Sequence, residues 1–191
     1  MNTGREKKIS VERERPFSPH HIFLATARDA IELSENDKSK SSFSAITAIT
    51  MSALAIEALS NAVGERVIDS WEDFESSSPK AKLRIICDEL DINYDPSIEP
   101  WSTVVWLSNI RNKLAHGKPQ LVKETYVCGE QEHQKRDWEK PESKLEKSLT
   151  IGSAKRAYER VTELKYLLCK NIPSGKAFGL AGDMWSGSSS A

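Results

Sequence analysis

Arg111, Asn112 and His116 fall within one and a half turns of a helix, in the stretch "IRNKLAHGKP". Arginine is the side chain best shaped to hold phosphate oxygens in a fork. Histidine takes or gives a proton near neutral pH. Asparagine can fix an imidazole ring or donate to a phosphate. Together these are the parts of metal-independent RNA cleavage. A base deprotonates the 2′-hydroxyl, which attacks the adjacent phosphorus. An acid protonates the departing 5′-oxygen, and a cation stabilises the charge on the phosphoryl oxygens. The products expected are a 2′,3′-cyclic phosphate and a 5′-hydroxyl. The plainer reading is a helix end. Basic residues there complement the helix dipole, and a histidine before a glycine can bond the last carbonyls.

Spacing restricts how such a site is assembled. At about 100° per residue, Arg111 and His116 project about 140° apart on a straight helix. They converge only if the helix loosens near Gly117 or if a second copy of the chain supplies the missing half. Asn112 and His116, at i and i+4, are neighbours.

The elements that position this stretch are helical. The preceding run, "WSTVVWLSN", places Val104, Leu107, Ile110 and Leu114 on one face,. Gly117 can supply a left-handed cap, and Pro119 stops continuation. Ser18-Pro19 opens an earlier helix with Phe23, Leu24, Ala27, Ala30 and Ile31 on one face,. "FSAITAITMSALAIEALSNAVGERVI" is apolar all round, as the buried centre of a bundle is. Glu57 is the charge in its middle, either reaching solvent or pairing with a basic residue at a site. Ser78-Pro79 opens a helix with Leu83, Ile86, Cys87 and Leu90 inside. The last helix, "SAKRAYERVTELKYLLCKNI", buries Ala154, Tyr158, Val161, Leu164 and Leu168,. "LVKETYVC" and "SLTI" suggest a small β excursion near 121–151, with the charged segment between them read as a solvated loop that includes His133. The fold class expected is all-α, an up-and-down bundle of about four to five helices over residues 18–172. Residues 1–17 are expected to be a mobile segment, and the glycine- and serine-rich 173–191 a flexible tail.

With 191 residues and a formal net charge of −1, bulk electrostatics gives no sign of nucleic-acid binding, so any basic surface must be local,. Cys87, Cys128 and Cys169 form no CxxC pair, which argues against a disulfide framework or zinc site and fits a reducing cytosol,. The charged N-terminus lacks the apolar core of a signal peptide. The longest uncharged run, Ser41 to Ile56, is shorter than a membrane span,. A cytoplasmic protein away from membranes is expected. No phosphate loop, GxGxxG or GxSxG is present, and neither a cofactor nor a metal is expected. Adjacent His20 and His21 project in different directions and read as partly exposed packing residues. Trp101 and Trp106, on the motif helix, suit packing, with base stacking or an interface as alternatives.

"RNKLAHG" resembles the R-x4-6-H motif of the HEPN superfamily (higher eukaryotes and prokaryotes nucleotide-binding domains), including the polar residue directly after the arginine. The order of helices over Ser18 to Ile172 is similar too, with a very apolar central helix before the motif helix. The resemblance implies a ribonuclease acting as a symmetric homodimer, with Arg and His of both chains lining one cleft. Such proteins serve as toxins, anti-phage effectors and RNA-processing factors. It implies that Arg111 stabilises phosphate, Asn112 orients, and His116 is the general acid/base, with Glu57 and Lys118 in support. Toxins of this family paired with nucleotidyltransferase antitoxins carry a tyrosine two positions after the histidine. Lys118 stands there instead, so that pairing is not implied, although an antitoxin or defence partner of another kind is. Other members are non-catalytic modules that bind a nucleotide, RNA or a protein.

Overall fold

A computed structural model describes residues 9–136, 140–182 and 186–190. The expectations for residues 1–8, 137–139, 183–185 and 191 lie outside the described residues. The fold is an all-α bundle. Its core helices are α1 (Pro19–Asn36), α2 (Ser41–Val67), α3 (Pro79–Glu89), α4 (Trp101–His116) and α7 (Ile151–Asn171). Two short helices, α5 (Glu130–Arg136) and α6 (Lys144–Ser148), lie between α4 and α7 in the chain.

The central helix is α2, which packs against α1, α3, α4 and α7. Its small residues explain how one helix touches four neighbours. Ala45, Ala48, Ala55 and Ser60 are fully buried, alongside Ile49, Leu59 and Val63. Close approach is tightest at Gly64, where a Cβ would lie 2.5 Å from the Trp71 ring. By length and composition the segment Lys38–Val67 could cross a bilayer, its most apolar 18-residue window having a mean hydropathy of 1.5. The helix thus runs well beyond the uncharged stretch read from the sequence. Half of its most apolar window is buried within the bundle.

The expected core faces are present on α1, α3 and α7: Leu24, Ala27 and Ile31; Leu83, Ile86 and Cys87; Ala154, Val161, Leu164 and Leu168 are all buried. Ser78 caps α3 through a hydrogen bond from the Ala81 amide. Burial pushes the Cys87 thiol up to about 12, which makes it a packing residue and no nucleophile,.

Three expectations are corrected. Among the described residues the β excursion near 121–151 is absent: Leu121 and Val127 are exposed with no described strand beside them, and residues 117–129 carry no regular structure. Its polar residues instead cap helices, Ser143 in a reciprocal capping box at α6 and Thr150 at α7,. Part of the charged segment is helical, as α5. Second, the N-terminal segment is not wholly detached. Its β1 (Ser10–Glu14) pairs antiparallel with β2 (Ser186–Ser190).

Third, residues 173–182 are not a loose tail. Leu180 is fully buried, and donors from three helices grip the main-chain carbonyls. His20 Nε2–H donates to Leu180 and His21 Nε2–H to Gly179, both at 2.9 Å. Arg66 Nη1 reaches the carbonyls of Lys176 and Phe178, and Lys165 Nζ that of Ala181. His20 is therefore completely buried, contrary to its expected partial exposure. Burial, aided by the nearby charges of His21, Lys165 and Arg66, lowers its pKa to about 4.

Candidate functional site

The motif helix α4 is anchored at one end and free at the other. Trp101, Val104, Leu107 and Ile110 are buried, and Trp101 lies 5.0 Å from the Tyr94 ring. Beyond Ile110 the core stops. Leu114, expected inside, is 37 % exposed, and Asn112 to His116 are all exposed. The end of the helix projects beyond the buried core, with residues 117–123 beside it only as walls of an open cleft. It remains α-helical through His116, so the loosening that would bring Arg111 and His116 together does not occur. Gly117 is not a left-handed cap; its φ is −60° and its ψ 134°. Its role is close approach: a Cβ there would lie 2.6 Å from the Lys113 carbonyl oxygen.

Arg111 and His116 accordingly open into different clefts. Arg111 Nη2 donates to Glu57 Oε2 at 3.1 Å, and its Nη1 donates to Asn112 Oδ1 at 3.3 Å. Glu57 thus pairs with a basic residue and does not merely reach solvent. Asn112 orients the arginine, with its side-chain oxygen engaged there. These three side chains line a cleft of about 480 Å³, closed on the far side by the Glu75–Lys80 connection into α3. The ion pair is partly solvated, with side-chain exposures of 39 % and 33 %, so it is a modest anchor of less than about 1 kcal/mol,. Glu57 also offsets the charge of Arg111.

His116 and Lys118 line a second, wider cleft of about 780 Å³. Four further lysines line it: Lys113, Lys123, Lys144 and Lys147, against one acid, Glu142. None of these lysines forms an ion pair among the described residues. This is a local basic surface of the kind a near-neutral chain needs if it is to meet phosphate. Asn112 lines both clefts and joins them. Lys144 and Lys147, carried by α6, were not legible as site residues, because only the fold brings α6 beside the end of α4.

A third cleft, of about 490 Å³, continues from the first on the other side of Glu57. It lies between α1 and α2 and is walled by Phe17, Phe23, Asn61 and Glu65. Trp106 faces a small cavity of about 190 Å³ between α4 and α7, which His116 does not line. Among the described residues no group of three or more His, Cys, Asp or Glu side chains is placed to hold a metal ion. No protein-family model, curated protein or solved structure matches this chain.

Proposed function

We propose that this chain is a HEPN-like, metal-independent endoribonuclease whose site is completed by a second copy of itself. The observation that carries the reading is the placement of His116: on an exposed helix overhang, in a lysine-lined cleft joined through Asn112 to the Arg111 cleft. One protomer holds its arginine and its histidine on different sides of α4. Two copies related by a two-fold axis can set the Arg111 of one beside the His116 of the other. Exposed Leu114 and Leu121 beside the motif offer apolar surface for that contact.

In the proposed reaction, neutral His116 removes the 2′-hydroxyl proton, and the alkoxide attacks phosphorus. A protonated His116 from the other copy delivers a proton to the 5′-oxygen as the P–O bond breaks. Arg111, held by Glu57 and Asn112, donates to the phosphoryl oxygens, and Lys118 and its neighbours track the flanking phosphates. We place the protein in the cytoplasm, away from membranes, as a toxin or defence component with an antitoxin or other partner protein. Three free cysteines suit that compartment,.

A second reading is favoured by one observation. Glu57 already occupies Arg111, which suits a module that binds RNA, a nucleotide or a protein without cutting. The deciding experiment incubates purified protein with single-stranded RNA in EDTA, beside His116→Ala and Arg111→Ala. Cleavage to cyclic-phosphate ends by the wild type and none by either variant supports the enzyme. Equal cleavage by all three marks a contaminant and removes it.

A further inference from the structure

The third cleft differs from the other two in chemistry. The His116 cleft is lined by lysines without ion-pair partners among the described residues, and the middle cleft holds the Arg111–Glu57 pair. The cleft beyond Glu57 is acidic and aromatic. Arg66, the cation among the described residues that line it, is tied to the carbonyls of Lys176 and Phe178. A phosphate meets carboxylates there, so this is no continuation of the phosphate track.

Its features suit a flat heterocycle. Phe17 is 57 % exposed, a large ring left in solvent at the mouth of the cleft. The Arg15 guanidinium lies 5.5 Å from its centroid and steadies it by a cation–π contact,. Pro16, next to it, is held against Gly179, where a Cβ would come within 2.6 Å of the proline ring. An exposed, fixed aromatic ring is a platform on which a nucleobase stacks. Along the opposite wall, Glu57, Asn61 and Glu65 recur every fourth residue of α2, one turn apart,. Buried Lys82 donates from Nζ to Asn61 Oδ1 at 2.7 Å, so the amide keeps its Nδ2 donors for another partner. The Glu65 carboxylate is exposed and without a partner among the described residues, leaving two acceptor oxygens side by side.

We propose that the cleft bounded by Phe17, Phe23, Asn61 and Glu65 is a guanine subsite, holding the base next to the phosphate at Arg111. Guanine presents N1–H and N2–H side by side, a donor pair that fits both carboxylate oxygens of Glu65. Adenine, cytosine and uracil have no such adjacent pair. Guanine also carries O6 and N7 acceptors for the Asn61 amide. Because Glu57 lines both clefts, the base pocket and the arginine cleft are adjacent steps along one strand. The position of the base relative to cleavage rests on the ribonuclease reading; the preference for guanine does not.

The test titrates the full chain with GMP, AMP, CMP and UMP, following binding by calorimetry, and repeats it with Glu65→Gln and Phe17→Ala. Both positions are exposed, and thermal melts check that the fold is kept. GMP is expected to bind at least tenfold more tightly than the other three. Glu65→Gln should bring GMP to their level, and Phe17→Ala should weaken all four. Equal binding of the four nucleotides, or a GMP preference unchanged in Glu65→Gln, overturns the subsite. Mapping cut sites in a random-sequence RNA separates the two readings. Guanine-dependent binding without any cleavage sustains the subsite and removes the nuclease, whereas cleavage without guanine beside the cut sustains the nuclease and removes the subsite.

Discussion

Arg111 of α4 and Glu57 of α2 meet at 3.1 Å, and the contact fixes the arginine while offsetting its charge. Glu57→Gln keeps the shape and removes the charge. Stability should change by no more than about 1 kcal/mol, as for other partly solvated pairs. RNA binding, read by fluorescence anisotropy, should tighten several-fold, because one carboxylate leaves the groove. Cleavage per bound RNA should fall, since a less firmly held guanidinium is worse placed for the transition state. Weaker RNA binding in the variant contradicts this account of the pair.

The lysines around His116 should behave as phosphate-neutralising groups. Lys144→Ala and Lys147→Ala are expected to lower RNA affinity with little dependence on sequence. Each should also flatten the plot of log affinity against log salt, by about 0.7 for every phosphate that the side chain no longer neutralises. An unchanged salt slope in the double variant removes α6 from the RNA path.

Gly117 supports the end of the motif helix by closeness and without any special backbone angle. In Gly117→Ala the new methyl meets the Lys113 carbonyl oxygen at 2.6 Å, so the last turn must shift. Because that turn overhangs the core, the melting temperature should move by only a few degrees. The His116 ring resonances and any RNA cleavage should change strongly. Unaltered His116 signals together with full activity refute a positioning role for Gly117.

His20 predicts an acid-sensitive clasp on the C-terminal segment. Burial lowers its pKa from 6.5 to about 4, with His21, Lys165 and Arg66 nearby acting in the same direction and the Leu180 carbonyl opposing them. The unfolded chain takes up this proton near 6.5 and the native state only near 4. The stabilisation is therefore complete above 6.5 and is lost as the pH falls toward 4, to a total of about 3 kcal/mol,. Urea melts at about pH 7 and about pH 5, on either side of the unfolded-state titration, should differ by less in His20→Gln than in the wild type. An identical pH dependence removes His20 as its source.

Much of the bundle is visible in periodicity, because burial on one face leaves a regular trace in α1, α3 and α7. The motif helix shows where such reading stops. Leu114 continues the apolar spacing of Ile110, yet no described element buries it, and spacing alone does not reveal an absent neighbour. The C-terminal segment shows the converse. Its carbonyls are bound by His20, His21, Arg66 and Lys165, and since every residue has a carbonyl, composition carries no sign of which will be gripped. The separation of Arg111 from His116 was legible, being a consequence of the helical repeat. The pairing of Arg111 with Glu57 was legible only as one of two fates for a charge in an apolar helix. The lysines of α6 were not, since their approach to α4 is a matter of tertiary arrangement.

Ser10 lies opposite Ser190 in the β1–β2 ladder, so two segments far apart in sequence lie side by side. A ring made by splicing these neighbours would need little linker, and it could be reopened at Gly129, in an exposed stretch with open space around it. Such a permuted chain keeps α1, α2 and α4 contiguous and places the new ends between the lysine cleft and α5. Two copies of it could then be tethered head to head beside the motif, turning the proposed pairing of protomers from a matter of concentration into one of connectivity.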